Sequence, residues 1–497
     1  MGLFRRNRKH DAPDRWALGQ VLLDLTPSGV DPWTIADACE GTLVAGATGS
    51  GKTTGSGRVT AKAFLDAGFG GMALTAKRDE LSLWEAYCRE AGRSGDLLVF
   101  GPGRPLRYNF LDHELNRKGE GAGLTENLVN LFSTVLEVAE RQGGHGGRED
   151  EGYWRRANRQ LARNAIDLTT LSGERLSIPN LYRLIVSAPT STAEARSDEW
   201  KAQSFCYRCL ELADDRPKSP RERADYEIVA DYFLLEYPAL SEKTRSVIVS
   251  TFTSMIDVLN RGVLRELFCT DTNVTPEAIE QGKILVIDLP VKEFAEVGIF
   301  SQVLWKYAFQ RSIERRDVRR NPRPVFFWAD EAQYFLTSYD MQFQTTARSS
   351  RVATVLLTQN LPNFYAALGG GEKGKAEADS LIGNLNTKIF HANGDPVTNE
   401  WAATLIGRTR QYFINAGNSY EPDDGSARWM GLRKAPSTNA GVTEAYEFEV
   451  QPGAFTSLRK GGAANRGLVD AILFQGGRRF ESTGRTWMPV TFQQKTS

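Results

Sequence analysis

Long apolar runs are missing from this sequence. Nowhere do about 18 consecutive apolar residues follow one another, so no transmembrane helix is expected. The opening MGLFRRNRKHDAPDRW is basic but has no apolar stretch behind it, which argues against a signal peptide. An excess of charge is missing too. Lys+Arg and Asp+Glu each total 61, so there is no global basic field and any contact with nucleic acid must be local. Cysteine is sparse: the five residues Cys39, Cys88, Cys206, Cys209 and Cys269 are scattered, which suits a reducing cytoplasm better than a disulfide framework. Cys206 and Cys209 form an isolated C-x-x-C with no second pair and no nearby His, so they read as core or surface thiols rather than zinc ligands. What remains, at 497 residues with 41% hydrophobic and 25% charged, is ordinary globular material for two or three domains.

The most informative stretch is GATGSGKTT, Gly46 to Thr54. Gly46, Gly51, Lys52 and Thr53 fit the spacing G-x-x-x-x-G-K-[ST], with the strand-like TLVAG in front and a helix-compatible segment behind. A strand–loop–helix turn of this kind aims backbone N–H groups into a concave nest where phosphates bind. The expected cradle is Gly46, Ala47, Thr48, Gly49, Ser50, Gly51, Lys52, Thr53 and Thr54. Within it, Lys52 reaches the β- and γ-phosphates and the Thr53 hydroxyl ligates Mg²⁺.

Along the chain, strand-like and helical segments first alternate as βαβ, in GGMALTAKRDEL, SLWEAYCREAG and DLLVFGPG. From about Leu124 to about Leu259 apolar residues recur at helical spacing, and strand signals then resume with KILVIDLP, PVFFWADE, ATVLLTQN and TKIFHANG. The expected fold is α/β: a P-loop NTPase (RecA-like) core with a mainly parallel central sheet and an inserted all-α domain. The boundaries implied are a basic flexible segment over 1–30, the first part of the nucleotide-binding domain over 31–115, the all-α insertion over 116–260, and the second part over 261–497. In the first segment, Arg5, Arg6, Arg8 and Lys9 are expected in a solvated tail.

PVFFWADEAQYF has the form of a Walker B strand: an apolar run delivering Asp330 beside the Mg²⁺ held by Thr53, at the sheet edge where ligands bind. Glu331 is then placed to polarise the attacking water, which favours hydrolysis over mere binding. A surface carboxylate pair capping the next helix is the alternative. ATVLLTQN ends in Gln359, a polar tip suited to sensing a γ-phosphate or orienting water, or else an inert helix cap.

The ordered set GATGSGKT, TAKRDEL, GPGRPLRYNFL, EGYWRRANRQLARNAI, LSEKTRSVI, ILVIDLP, FWADEAQYF, TTARSSRVATVLLTQN and IGNLNTKIFHANGDPVTNEWAATLIGRT resembles the TraG/TraD-like coupling ATPases of conjugation and type IV secretion, of the FtsK/HerA superfamily. The resemblance runs with gaps from about Gly41 to about Arg410. Thr75 stands where that family usually has an aspartate, and the segment around Thr346 to Thr409 corresponds to its TraM-recognition region. It implies ATP and Mg²⁺ as ligands, a ring of six copies, DNA passing through the ring, and partners such as a relaxase or another DNA-processing protein and a membrane-anchored secretion component. It also implies an arginine supplied to the neighbouring subunit's site, with Arg348 the first candidate and Arg351, Arg408 and Arg410 in reserve.

Unlike the membrane-bound members, this chain has only about 45 residues before Gly46 and none able to span a bilayer, so the expected location is cytoplasmic, at most peripheral at the inner face of the membrane through partners. The run RSIERRDVRRNPR gathers Arg311, Arg315, Arg316, Arg319, Arg320 and Arg323, either a phosphate-contacting face or a solvated one. The Gly-rich basic stretches SLRKGGAANRG and FQGGRRFESTGRTW read as tracking loops or subunit contacts. Three functions stay open: an ATP-driven DNA-translocating coupling protein, a HerA-like partner of a nuclease in defence or DNA processing, and a nucleotide-gated substrate-docking module.

Overall fold

The computed structural model describes residues 15–142, 151–419 and 437–494. Nine strands build one central sheet: β3 (Thr42–Ala45), β4 (Gly70–Leu74), β5 (Leu97–Phe100), β6 (Ile284–Ile287), β7 (Val325–Ala329), β8 (Val352–Thr358), β9 (Thr387–His391), β12 (Leu468–Gln475) and β13 (Trp487–Gln493). Two antiparallel ribbons stand apart, β1 (Val21–Asp24) with β2 (Pro32–Thr34), and β10 (Arg408–Ser419) with β11 (Ser437–Phe448).

In the central sheet the order is β13-β12-β9-β3-β8-β7-β4-β6-β5. Every neighbouring pair from β9 to β5 is parallel, and β12 and β13 add antiparallel at one edge. Composition follows position. TLVA, GGMAL, ILVI, VFFWA and TKIFH are buried at every residue, as strands covered on both faces require. The edge strand β13 alternates buried and exposed residues instead, and carries Pro489, which cannot donate to a neighbour.

Alternate side chains of β7 anchor the two covering layers. Phe326 stacks on Trp84 and Phe64, from the helices Asp79–Glu90 and Arg58–Asp66, at ring separations of 5.3 and 5.8 Å. Phe327 points the other way, to Phe309 of the long helix Val291–Arg315 at 6.0 Å. That helix carries Trp305, fully buried between Tyr108 at 4.3 Å and Phe100 at 5.1 Å.

Between β5 and β6 the regular elements of the described residues are helices, from Phe110–Asn116 through Glu277–Glu280, so helices reach beyond 116–260 on both sides. Their apolar faces join the same continuous core as the Trp305 side of the sheet. Cys206 and Cys209 are buried in this core, where burial raises both thiols, Cys209 up to about 11. Among the described residues no cluster of three or more His, Cys, Asp or Glu is placed to hold a metal ion.

The expectation of a flexible segment over 1–30 needs correction. Arg5, Arg6, Arg8 and Lys9 lie outside the described residues, but residues 15–30 include β1, and Trp16, Leu22, Leu23 and Leu25 pack against the core on the Phe326 side. These partly buried apolar side chains tie the stretch to the core.

Candidate functional site

The phosphate loop leaves the tip of β3 between β8 and β9. Gly46 N–H donates to Thr358 O (3.2 Å) and Ala47 N–H to Ala392 O (3.0 Å), so both neighbouring strands fix its entry. Glycine is required twice for space: a Cβ on Gly46 would lie 2.5 Å from Ser50 Oγ, and one on Gly51, where φ is +85°, would lie 2.6 Å from Val469. The helix behind it starts with a wide turn, Thr53–Gly57, in which Gly57 N–H reaches back to Lys52 O (2.8 Å). Lys52 is buried, and Ser50 Oγ is buried without a hydrogen-bond partner. An orphaned hydroxyl inside a glycine-rich loop is what a phosphate-binding loop leaves for its ligand.

Residues far apart in sequence converge on this loop. Thr53 Oγ1 donates to Asp330 Oδ2 at 2.7 Å, so the residues expected to share a divalent cation already touch. Hydroxyl and carboxylate oxygens are the ligand types Mg²⁺ takes, and the pair fits it. The other Asp330 oxygen accepts the Glu331 N–H at 2.9 Å. Glu331 itself adopts φ 51°, ψ 49°, a left-handed conformation uncommon without glycine. β8 lies between the loop-bearing β3 and the acid-bearing β7, so Gln359 at its tip stands between phosphate loop and Glu331. Its Nε2 donates to both Glu331 oxygens at 3.1 and 3.3 Å.

Two further donors reach Glu331: Gln333 Nε2 at 2.9 Å and Lys77 Nζ at 3.1 Å. Burial would raise the Glu331 carboxyl, but the bonds from Gln333 and Gln359, the charge of Lys52 and the bond from Lys77 outweigh it and hold the group below its ordinary value. Glu80 moves the opposite way: burial, reinforced by the Asp330 charge, pushes its carboxyl well up.

Under the loop, Ser56 Oγ lies 2.7 Å from His391 Nε2. His391 Nδ1 faces Asp470 O at 3.2 Å, so the ring proton sits on Nδ1 and Nε2 accepts from Ser56. Burial lowers the His391 pKa to about 4. Neither His391, Ser56, Lys77 nor Gln333 stood out in the sequence; only the lysine in TAKRDEL carried a signal, within the resemblance.

Some expected residues lie elsewhere. Thr54, placed in the phosphate cradle by its position, has a hydroxyl that accepts from Gln494 Nε2 at 2.6 Å. Gln494 Oε1 in turn accepts Gly462 N–H at 2.8 Å, so SLRKGGAANRG packs beside the chain's own phosphate loop. FQGGRRFESTGRTW is anchored inward as well: Asp31 accepts the Glu481 and Ser482 N–H groups at 2.7 and 3.1 Å. Thr75, in the family's aspartate position, is buried and ties strands together, its hydroxyl donating to Ile287 O (2.7 Å) and its N–H to Gln302 (2.6 Å).

Arg348 precedes β8, at the sheet edge opposite the phosphate loop, where it pairs with Glu40 at 3.2 Å and is 69% exposed. It therefore cannot serve its own chain's loop. Arg351 donates to the Trp16 and Pro322 carbonyls, both at 2.8 Å. Arg408 lies over Phe448 and Arg410 pairs with Glu444, both on the β10–β11 ribbon.

The arginine-rich run is neither a phosphate-contacting face nor a solvated one over most of its length. Arg311 bonds Glu314 and Tyr339, Arg315 grips both Glu114 oxygens (2.8 and 3.0 Å), Arg316 caps the Ser350 and Arg323 carbonyls, and Arg323 reaches Gly68 O. Arg319 and Arg320 are exposed, with Arg320 paired to Asp317 at 3.4 Å. Counting arginines could not reveal carboxylates delivered from 201 residues away.

Sheet order, phosphate loop and acid strand together define a P-loop NTPase fold of the RecA-like kind. Within that class, residues 324–435 match the family model described as the TraM recognition site of TraD and TraG. The fold is that of conjugative coupling proteins. Unbound TrwBdeltaN70, a bacterial conjugative coupling protein, is 14% identical with a TM-score of 0.59, over 95% of this chain and 89% of that one. The plasmid coupling protein TrwB in complex with ADP and Mg²⁺ is 15% identical with a TM-score of 0.57, over 97% and 89%. VirB4 of Thermoanaerobacter pseudethanolicus is 11% identical with a TM-score of 0.50, over 97% and 92%. No curated protein sequence matches the chain. Among the described residues no helix is long and apolar enough to cross a membrane.

Proposed function

We propose that this chain is an ATPase of the conjugative coupling type that uses ATP to move DNA, alone or with a bound relaxase. The observation that carries the reading is the convergence of Thr53, Asp330, Glu331 and Gln359 on one phosphate loop, with Thr53 and Asp330 2.7 Å apart. In this reading residues 46–54 hold the triphosphate, mostly through backbone N–H groups, and Lys52 neutralises its outer phosphates. Thr53 and Asp330 hold Mg²⁺, which polarises the phosphoryl oxygens when bound. Glu331 takes the proton of the attacking water, and Gln359 orients that water against the terminal phosphate.

ATP and Mg²⁺ are assigned with support from the TrwB relative, which has been seen with ADP and Mg²⁺. The TraM-recognition match over 324–435 supports a protein partner from the DNA-processing machinery. Six copies in a ring around DNA, with Arg348 completing the neighbour's site, belong to the same proposal; its place on the edge away from its own loop suits a residue that acts on another copy. So does the division into nucleotide-binding parts at 31–115 and 261–497 around the helical 116–260. Docking to a membrane-anchored secretion component would place the chain at the inner membrane face.

Steady-state ATP hydrolysis with and without single- and double-stranded DNA, alongside the mass in solution with ATP, tests this. DNA-stimulated turnover by a ring-sized species is the expected result. A monomer whose turnover ignores DNA would refute the motor reading.

A further inference from the structure

The Glu331 carboxylate is saturated. It accepts from Lys77 at 3.1 Å, from Gln333 at 2.9 Å, and from Gln359 at 3.1 and 3.3 Å. A carboxylate offers about four lone-pair sites, so none is left open for a water. A group that removes a proton from water needs such an opening within hydrogen-bond reach. The arrangement is therefore a resting one, and one donor must let go before hydrolysis.

The sheet identifies which. Gln359 follows β8, on the phosphate-loop side of Glu331, and its backbone carbonyl is held by Asn393 Nδ2 at 3.0 Å, which fixes where its side chain starts. Gln333 is fixed from the other end, its Oε1 accepting from Thr358 Oγ1 at 3.3 Å. Lys77 follows β4, on the side of β7 away from the phosphate loop. Its side chain is 44% exposed while that of Glu331 is 4% exposed, and among the described residues Glu331 is its one hydrogen-bond partner. The long lysine stem can swing into water and leave the two glutamines in place. Gln333 cannot do so without releasing its second contact, to Thr358, and Gln359 lies on the phosphate side, where the water is to be oriented.

We propose that Lys77 is a positioning residue that tethers Glu331 on the side remote from the phosphates and must release it for turnover, so that the Lys77–Glu331 pair acts as a brake on hydrolysis. This rests on the role of Glu331 given above.

The test is ATP hydrolysis by the full chain, without DNA, for wild type, Lys77→Met, Lys77→Gln, Lys77→Arg, Glu331→Gln and the Lys77→Met/Glu331→Gln double variant. Loss of one partly exposed ion pair should raise kcat about three- to tenfold in Lys77→Met and Lys77→Gln, with KM changed less than about twofold. Lys77→Arg, which keeps the pair, should stay near the wild-type rate, and the double variant should be as inactive as Glu331→Gln. An unchanged or lower kcat in both neutral variants overturns the brake: unchanged means release is not limiting, lower means that Lys77 assists the reaction. Wild-type turnover by Glu331→Gln would instead sink the role of Glu331 itself, so the two failures are told apart.

Discussion

His391 makes the protein's stability depend on pH in a calculable way. The ring is fully buried under the phosphate loop, and burial drops its pKa from 6.5 to about 4. The unfolded chain therefore takes up this proton first as the pH falls. Above the unfolded value the neutral ring costs nothing, and stability is lost between the two values, down to about pH 4. From about pH 7.5 to about pH 5 the linkage relation gives a loss of about 2 kcal/mol from this one group. Hydrogen bonding does not soften the loss by much. A protonated Nε2 could donate to Ser56 Oγ while Ser56 turns its own hydrogen to Lys52 O, 3.2 Å away, so the pairing survives and the desolvated charge remains. His391→Gln keeps a donor and an acceptor but does not titrate. Urea unfolding of both proteins at the two pH values isolates the term, since every other titrating group is common to them. The variant should be less stable at neutral pH, yet lose about 2 kcal/mol less on acidification. Equal acid losses would refute the reading, for they would mean that water or local opening reaches the ring.

Glu331→Gln should reduce kcat by about 10² to 10⁴ while sparing ATP binding, measured as steady-state turnover and as nucleotide affinity. Lys52→Ala should abolish turnover and weaken ATP binding as well, because the buried ammonium meets the phosphates in ground and transition states alike. Asp330→Asn should raise the Mg²⁺ concentration needed for half-maximal hydrolysis by about tenfold or more, since it removes the charge that Thr53 shares. Trp305→Ala should destabilise by about 3 to 5 kcal/mol, and calorimetry should show the helical block and the sheet melting together rather than one alone. Separate transitions would mean that the shared core is not cooperative.

Much of this architecture is legible in the sequence because buried parallel strands are written as unbroken apolar runs. β3, β4, β6, β7 and β8 fall on segments of that kind, and glycine spacing marks the phosphate loop before β3 is placed in any sheet. Asp330 and Glu331 could be singled out because the phosphate-loop motif upstream gives an apolar strand ending in two carboxylates a meaning it lacks alone. The neighbours that tune them could not. His391 sits in TKIFH like any buried strand residue, and nothing local says that its ring meets Ser56, 335 positions earlier. Lys77 acts on Glu331 through a contact that exists only once β4 and β7 lie side by side, and Gln333 through a turn whose left-handed residue is not written in its letters. The arginine run misled for the same reason. Charge along a helix looks solvent-facing until the structure supplies Glu114 and the carbonyl groups that absorb it.

The two ends of the central sheet also bear on how copies can meet. One end is the four-residue β5, and the other is β13, whose Pro489 lacks a donor. Neither offers a long row of open backbone groups to a second molecule, so accidental strand-by-strand polymerisation is discouraged. As far as the central sheet is concerned, joints between copies are left to side chains on helices and loops. Such joints can be loosened and remade as nucleotide comes and goes, whereas a β-sheet continuous across the boundary would have to be torn.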